Sequence, residues 1–77
     1  MNSVIVYSTQ TWPWCTKVKA YLKSNNIDFT ELNVSADQQA AMVMIRKSGQ
    51  RGVPVIDING NIVVGFDQHA IDRLLGL

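Results

Sequence analysis

The chain has one thiol, Cys15, at the end of the stretch Thr11-Trp12-Pro13-Trp14-Cys15. This stretch has the form of a redox-active turn, Cys-Pro-aromatic-Cys, with tryptophan in place of the first cysteine. Dithiol chemistry needs two sulfurs three residues apart at the start of a helix. Unpaired N–H groups and the helix dipole at such a start favour the thiolate, which is the reactive form of the thiol. One of the two sulfurs is present here. At position 12 stands an indole, which cannot attack sulfur or form a disulfide and is bulky enough to crowd an incoming thiol.

A helix must begin at this turn, and a strand must deliver the chain to it. The run Val4-Ile5-Val6-Tyr7 is short, apolar and rich in β-branched residues, which predicts a buried strand. Pro13 suits the first helical turn, where its missing N–H has no partner to lose. Trp14, Val18 and Leu22 then fall on one face, with Lys17, Lys19 and Lys23 elsewhere. Ser24-Asn25-Asn26 ends the helix, since Asn tolerates the left-handed conformation found at helix ends. A second strand is expected over 27–34. Its alternation changes phase, with Ile27 and Phe29 on one face and Leu32 and Val34 on the other, so either a bulge or a late start is implied.

Ser35 followed by Gln38 has the spacing of a capping box. The helix it predicts runs to about residue 47 with Ala40, Val43, Met44 and Lys47 on adjoining turns, and Gly49 is suited to its C-terminal cap. Met42 and Met44 face different directions, as expected of packing rather than a thioether site. Val55-Ile56-Asp57-Ile58 and Asn61-Ile62-Val63-Val64 flank Asn59-Gly60, the signature of a type I′ hairpin. Asp67 can cap a last helix with Ala70, Ile71, Leu74 and Leu75 as its apolar face, and His69 in its first turn is expected in solvent. The first two strands, joined by a helix, should be parallel with a right-handed crossover. With the hairpin, the economical solution is an α/β domain with a four-stranded mixed sheet covered by helices.

Composition narrows the function classes. With 77 residues, 47% hydrophobic and 17% charged, the chain reads as one globular domain over residues 1–77. A core of this size contributes only about 3–5 kcal/mol. A lone cysteine excludes an internal disulfide and a zinc site built from several thiolates, and it fits a reducing cytosol. The net charge of +1, with scattered Lys and Arg, gives no electrostatic footprint for nucleic acid. Apolar runs are far too short to span a bilayer. Met1-Asn2-Ser3 lacks the basic region of a signal peptide, so a cytoplasmic protein is expected.

Three motifs in this element order carry a resemblance: Trp12-Pro13-Trp14-Cys15 after the first strand, Gly52-Val53-Pro54 before the third, and Gly65-Phe66-Asp67 before the last helix. Together, and over essentially the whole chain, they are similar to the glutaredoxin family, most of all to its small bacterial glutaredoxin-like and NrdH-like redoxins. The resemblance implies a thioredoxin fold, β-α-β-α-β-β-α, with three helices flanking the sheet. It implies that position 12 is the place of the nucleophilic cysteine, that Cys15 is the resolving cysteine, and that Pro13 and Trp14 are the intervening pair. It further implies that Val53-Pro54 is a cis pair whose Val53 backbone can pair with a bound thiol peptide. Gly65, Phe66 and Asp67 match the turn that holds the γ-glutamyl end of glutathione.

Physical chemistry is consistent with these implied roles. Cys15 lies one turn beyond position 12 on the same face and could attack a mixed disulfide formed there. Asp67 at a helix start suits an ammonium group, although a plain cap uses the same carboxylate. Arg46, Lys47 and Arg51 form a basic group that can be a solvated helix end or, with Gln50, a contact for a glutathione carboxylate. Trp12 and Trp14 could alternatively stack on a base or a peptide. Cys15 taken alone is a small buried hydrophobe.

The chain departs from the family at Trp12 and at Thr9, where many relatives carry lysine. Loss of a primary nucleophile costs on the order of 10⁶-fold in a well-studied protease, and a severe loss is expected here. The tryptophan codon UGG is one base from both cysteine codons and from UGA, which encodes selenocysteine in some redox proteins. Cysteine or selenocysteine is therefore the expected native or ancestral residue at position 12.

The expected function is thiol–disulfide oxidoreduction of glutaredoxin type on protein or glutathione mixed disulfides, impaired in this chain by Trp12. Glutathione is the expected co-substrate, with no tightly bound cofactor and no metal. Partners would be glutathione, disulfide-bearing proteins and a thioredoxin-reductase-like donor, with neither nucleic acid nor membrane. The alternative is a redox-silent module that holds glutathione or an extended peptide through Val53, Pro54 and Asp67. A glutathione-assisted iron–sulfur carrier would need the absent thiol at position 12.

Overall fold

A computed structural model of the chain describes residues 3–9 and 13–77; Trp12 and Thr11 lie outside the described residues. The elements are β1 (Val4–Ser8), α1 (Pro13–Ser24), β2 (Thr30–Asn33), α2 (Gln38–Ser48), β3 (Val55–Ile58), β4 (Asn61–Val64) and α3 (Gln68–Leu75). The sheet runs in the order β2-β1-β3-β4. β1 and β2 are parallel, while β1 with β3 and β3 with β4 are antiparallel. This is the four-stranded mixed sheet with three helices that the element order implied. No helix among the described residues is long and apolar enough to cross a membrane.

Strand alternation divides the core into two parts. On one side Val4, Val6, Ile56, Ile58 and Val63 of the sheet pack with Val18 and Leu22 of α1 and Ile71 of α3. On the other, Tyr7 and Val55 pack with Ala40 and Met44 of α2. The second strand starts late, at Thr30 rather than Ile27. The Ile27 N–H instead donates to Leu22 O at 2.9 Å, following Asn26 in the left-handed region (φ 58°). Ile27 and Phe29 therefore pack against the α1/α3 side, and Leu32 and Val34 against the α2 side, which resolves the change of phase.

Three local expectations are corrected. The stripe on α1 is Cys15, Val18 and Leu22, and Trp14 is 48% exposed. The buried row is thus spaced i, i+3, i+7 from Cys15, which turns Trp14 outward. The N-cap of α2 is Asp37, whose carboxylate accepts from the Ala40 N–H at 3.1 Å, and not Ser35. The Ser35 N–H and hydroxyl both donate to Asn33 Oδ1, forming a side-chain turn before the helix begins. On α2 only Ala40 and Met44 are buried; Val43 lies at the solvent border.

The hairpin forms as expected, with Asn59 at φ 53° and Gly60 at φ 90°. Asp57, 6% exposed on β3, braces it by accepting from the Gly60 N–H at 2.8 Å and from Lys47 Nζ at 2.7 Å. A charge buried this deeply is tolerated because both carboxylate oxygens are paired. At α3, Asp67 caps by accepting from the Ala70 N–H, Ile71 is buried, and His69 is exposed. The Tyr21 hydroxyl donates to Asp72, and its ring lies 5.6 Å from that of Phe66, joining α1 to α3.

Candidate functional site

The start of α1 sets the site. Pro13 occupies the first helical position and is exposed, and Trp14 projects outward beside it. Cys15, the next residue, is turned 100° around the helix and is fully buried. The thiol is therefore shielded from solvent and belongs to the buried row of α1.

Two chain segments distant in sequence meet Trp14. The Val53-Pro54 peptide bond is cis and leads into β3. The Gly65 N–H donates to Pro54 O at 2.8 Å, clipping the turn after β4 to the loop before β3. Gly65 has φ 77°, where a side chain would be strained, so a glycine is required at this clip. Trp14, Val53, Pro54, Gly65 and Phe66 together line a groove of about 250 Å³. Phe66 is held from behind by Tyr21. The lining thus combines two aromatic rings with proline and glycine, a composition suited to an extended segment with small or apolar side chains.

The other proposed site residues that are described, Asp67, Gln50 and Arg51, flank this lining in sequence. Asp67 follows Phe66 and is exposed, with one carboxylate oxygen engaged by the helix cap. Gln50 is folded back on its own loop: its amide nitrogen donates to Gly52 O at 3.0 Å and to Ser48 Oγ at 3.3 Å, and its oxygen accepts from the Gly52 N–H. Both ends of that amide brace the approach to Val53. Arg51 is exposed two residues before Val53. Trp12 is outside the described residues.

Two features were missed in the sequence. Lys17 places its ammonium 4.4 Å from the centroid of the Trp14 ring, a cation–π contact. The i, i+3 spacing on a helix would have revealed it. At the end of β1, buried Ser8 donates to Glu31 at 3.0 Å, and Lys19 of α1 pairs with the same carboxylate oxygen. The Lys19 ammonium holds the Glu31 carboxyl below its ordinary value, and the Ser8 hydroxyl adds to the effect. This pairing joins residues 12 and 23 positions apart, so no local spacing could disclose it. Among the described residues no group of three or more His, Cys, Asp or Glu side chains could hold a metal ion.

Comparisons with known proteins extend these observations. A family model described as glutaredoxin matches residues 4–63. A glutaredoxin-like 8.6 kDa protein in the rubredoxin operon of Clostridium pasteurianum is 54% identical over 70 residues, 91% of this chain and 93% of that protein. Among solved structures, a mutant of the thioredoxin-like protein BC3987 superposes with TM-score 0.91 at 30% identity, covering 99% of this chain and 97% of that one. The NrdH-redoxin of Escherichia coli, described as glutaredoxin-like with a thioredoxin-like activity profile, superposes with TM-score 0.84 at 26% identity, covering 94% and 93%.

Proposed function

The chain belongs to the glutaredoxin family, and from that premise we propose that it is a thiol–disulfide oxidoreductase scaffold acting on protein or glutathione mixed disulfides, with its first chemical step blocked by Trp12. The observation that carries this is the groove: Trp14, Val53-Pro54 and Gly65-Phe66 converge beside the helix start whose first turn buries Cys15.

In the competent form, with cysteine or selenocysteine at position 12, a thiolate or selenolate attacks one sulfur of a substrate disulfide. The other half leaves as a thiolate and takes a proton. Cys15 then loses its proton and attacks the mixed bond. The second substrate half leaves, and a bond closes between positions 12 and 15. Two electrons have passed to the substrate, and a donor returns them. Glutathione would serve as co-substrate or donor. The thioredoxin-like profile of the Escherichia coli relative supports a thioredoxin-reductase-like enzyme as the other donor. A lone thiol is consistent with a reducing cytoplasm.

Restoring position 12 tests this reading. Trp12→Cys should gain disulfide reduction that the parent chain lacks; equal activity in both would contradict the role of position 12. A second function is favoured by the backbone and proline that Val53, Pro54 and Gly65, none of them a thiol, bring to the groove: a redox-silent module holding glutathione or an extended peptide against Val53, Pro54, Gly65, Phe66 and Asp67, with Arg51 on the loop that leads to Val53. Calorimetric glutathione binding to the parent chain without turnover would support it.

A further inference from the structure

We infer that Lys17 is a specificity-determining residue that directs the groove toward protein segments carrying a carboxylate beside the disulfide. This rests on the reading of the groove as a substrate-docking site. Its ammonium lies over Trp14, and Trp14 forms one wall of the groove. The ion pairs among the described residues are Lys19–Glu31 and Lys47–Asp57. Two neighbouring cations are thereby neutralised, on α1 and at the end of α2, and Lys17 is in neither pair. Among the described residues no carboxylate pairs with it, and its contact with the indole places its charge beside a residue that lines the groove.

Arg51 adds a second exposed cation on the loop that leads to Val53. The nearest acid in sequence to the groove lining is Asp67, and one of its oxygens is engaged by the Ala70 N–H. The charge beside Trp14 itself is thus the Lys17 ammonium, while the Asp67 carboxylate stands beside Phe66 at the start of α3. An extended partner whose backbone lies along Val53 would bring a side chain next to its cysteine over Trp14. A Glu or Asp there meets the Lys17 ammonium; a Lys or Arg meets like charge.

The test uses the full chain and two short peptides. Each has a central S-methylcysteine, which cannot exchange, flanked by two Glu in one and two Lys in the other. Binding is followed by tryptophan fluorescence and located by the amide shifts of Val53 and Gly65. At low salt the Glu peptide should bind about twofold to fivefold more tightly than the Lys peptide, the range expected of one exposed charge. The preference should fade at high salt. Lys17→Met, which keeps an apolar stem against the indole, should bring the two peptides to parity, and Lys17→Glu should reverse their order.

An unchanged preference in Lys17→Met overturns the inference, as does failure of both peptides to shift Val53 and Gly65. The redox reading is judged separately, by the activity of Trp12→Cys. Activity there with no charge preference removes Lys17 alone, and a charge preference with no activity there removes the redox assignment alone.

Discussion

At the scale of the residue, the chemistry turns on two neighbouring environments. Position 12 directly precedes Pro13, the first residue of α1, and a helix start favours a thiolate. Cys15 is fully buried, and in the proposed cycle it acts after a substrate has been joined at position 12. In a Trp12→Cys background, Cys15→Ser should stop the cycle at the mixed disulfide. Mass spectrometry should then show the protein carrying one substrate half, with one thiol released per chain. Continued turnover without that adduct would show that Cys15 does not resolve the intermediate. The serine hydroxyl would be buried in place of sulfur, at a cost of about 1–3 kcal/mol, so denaturant unfolding should accompany the assay. The motif Trp12-Pro13-Trp14-Cys15 was legible because its chemistry is local. The orientation of Trp14 was not, because a helix stripe can be drawn through Trp14 or Cys15 and only packing against the sheet decides between them.

At the scale of the element, turns and caps set the groove. Asp67 both caps α3 and stands beside Phe66. Asp67→Ala should cost about 0.5–2 kcal/mol in stability, and Asp67→Ser should recover most of it by keeping the cap. If the carboxylate also meets an ammonium group of glutathione, both variants should weaken glutathione binding in calorimetry, though only the first is destabilised. Equal affinity in Asp67→Ser and the parent chain would reduce Asp67 to a cap. The hairpin was legible because Asn59-Gly60 selects its turn directly. The start of α2 was not, because Ser35 and Asp37 both offer a capping oxygen and Asn33 captures Ser35 first. Gln50 was legible as a polar residue near Val53, yet its amide closes on Gly52, a contact set by the shape of the loop.

At the scale of the whole molecule, paired charges bracket the pH range of stability. The Glu31 carboxyl is held below 4.5, chiefly by Lys19. Its contribution is present above that value and is lost as pH falls through the lowered folded value. The Tyr21 hydroxyl is raised above 10.0 by its hydrogen bond to Asp72, and Lys47 above 10.5 by Asp57. Their contributions are present below those values and lost as pH rises through the raised ones. Thermal unfolding should therefore show a plateau between acid and alkaline declines. Glu31→Gln should flatten the acid decline below pH 4.5 and leave the alkaline one unchanged; an unaltered acid slope would remove Glu31 from the account. The same integration of distant parts underlies the central claim, that the scaffold is complete apart from the nucleophile. Disulfide reduction by the chain and by Trp12→Cys, measured side by side with a reductant in excess, tests it most directly. A gain of at least about 10³-fold in Trp12→Cys is predicted, well inside the roughly 10⁶-fold cost of losing a nucleophile. A folded Trp12→Cys variant no more active than the parent chain would contradict it.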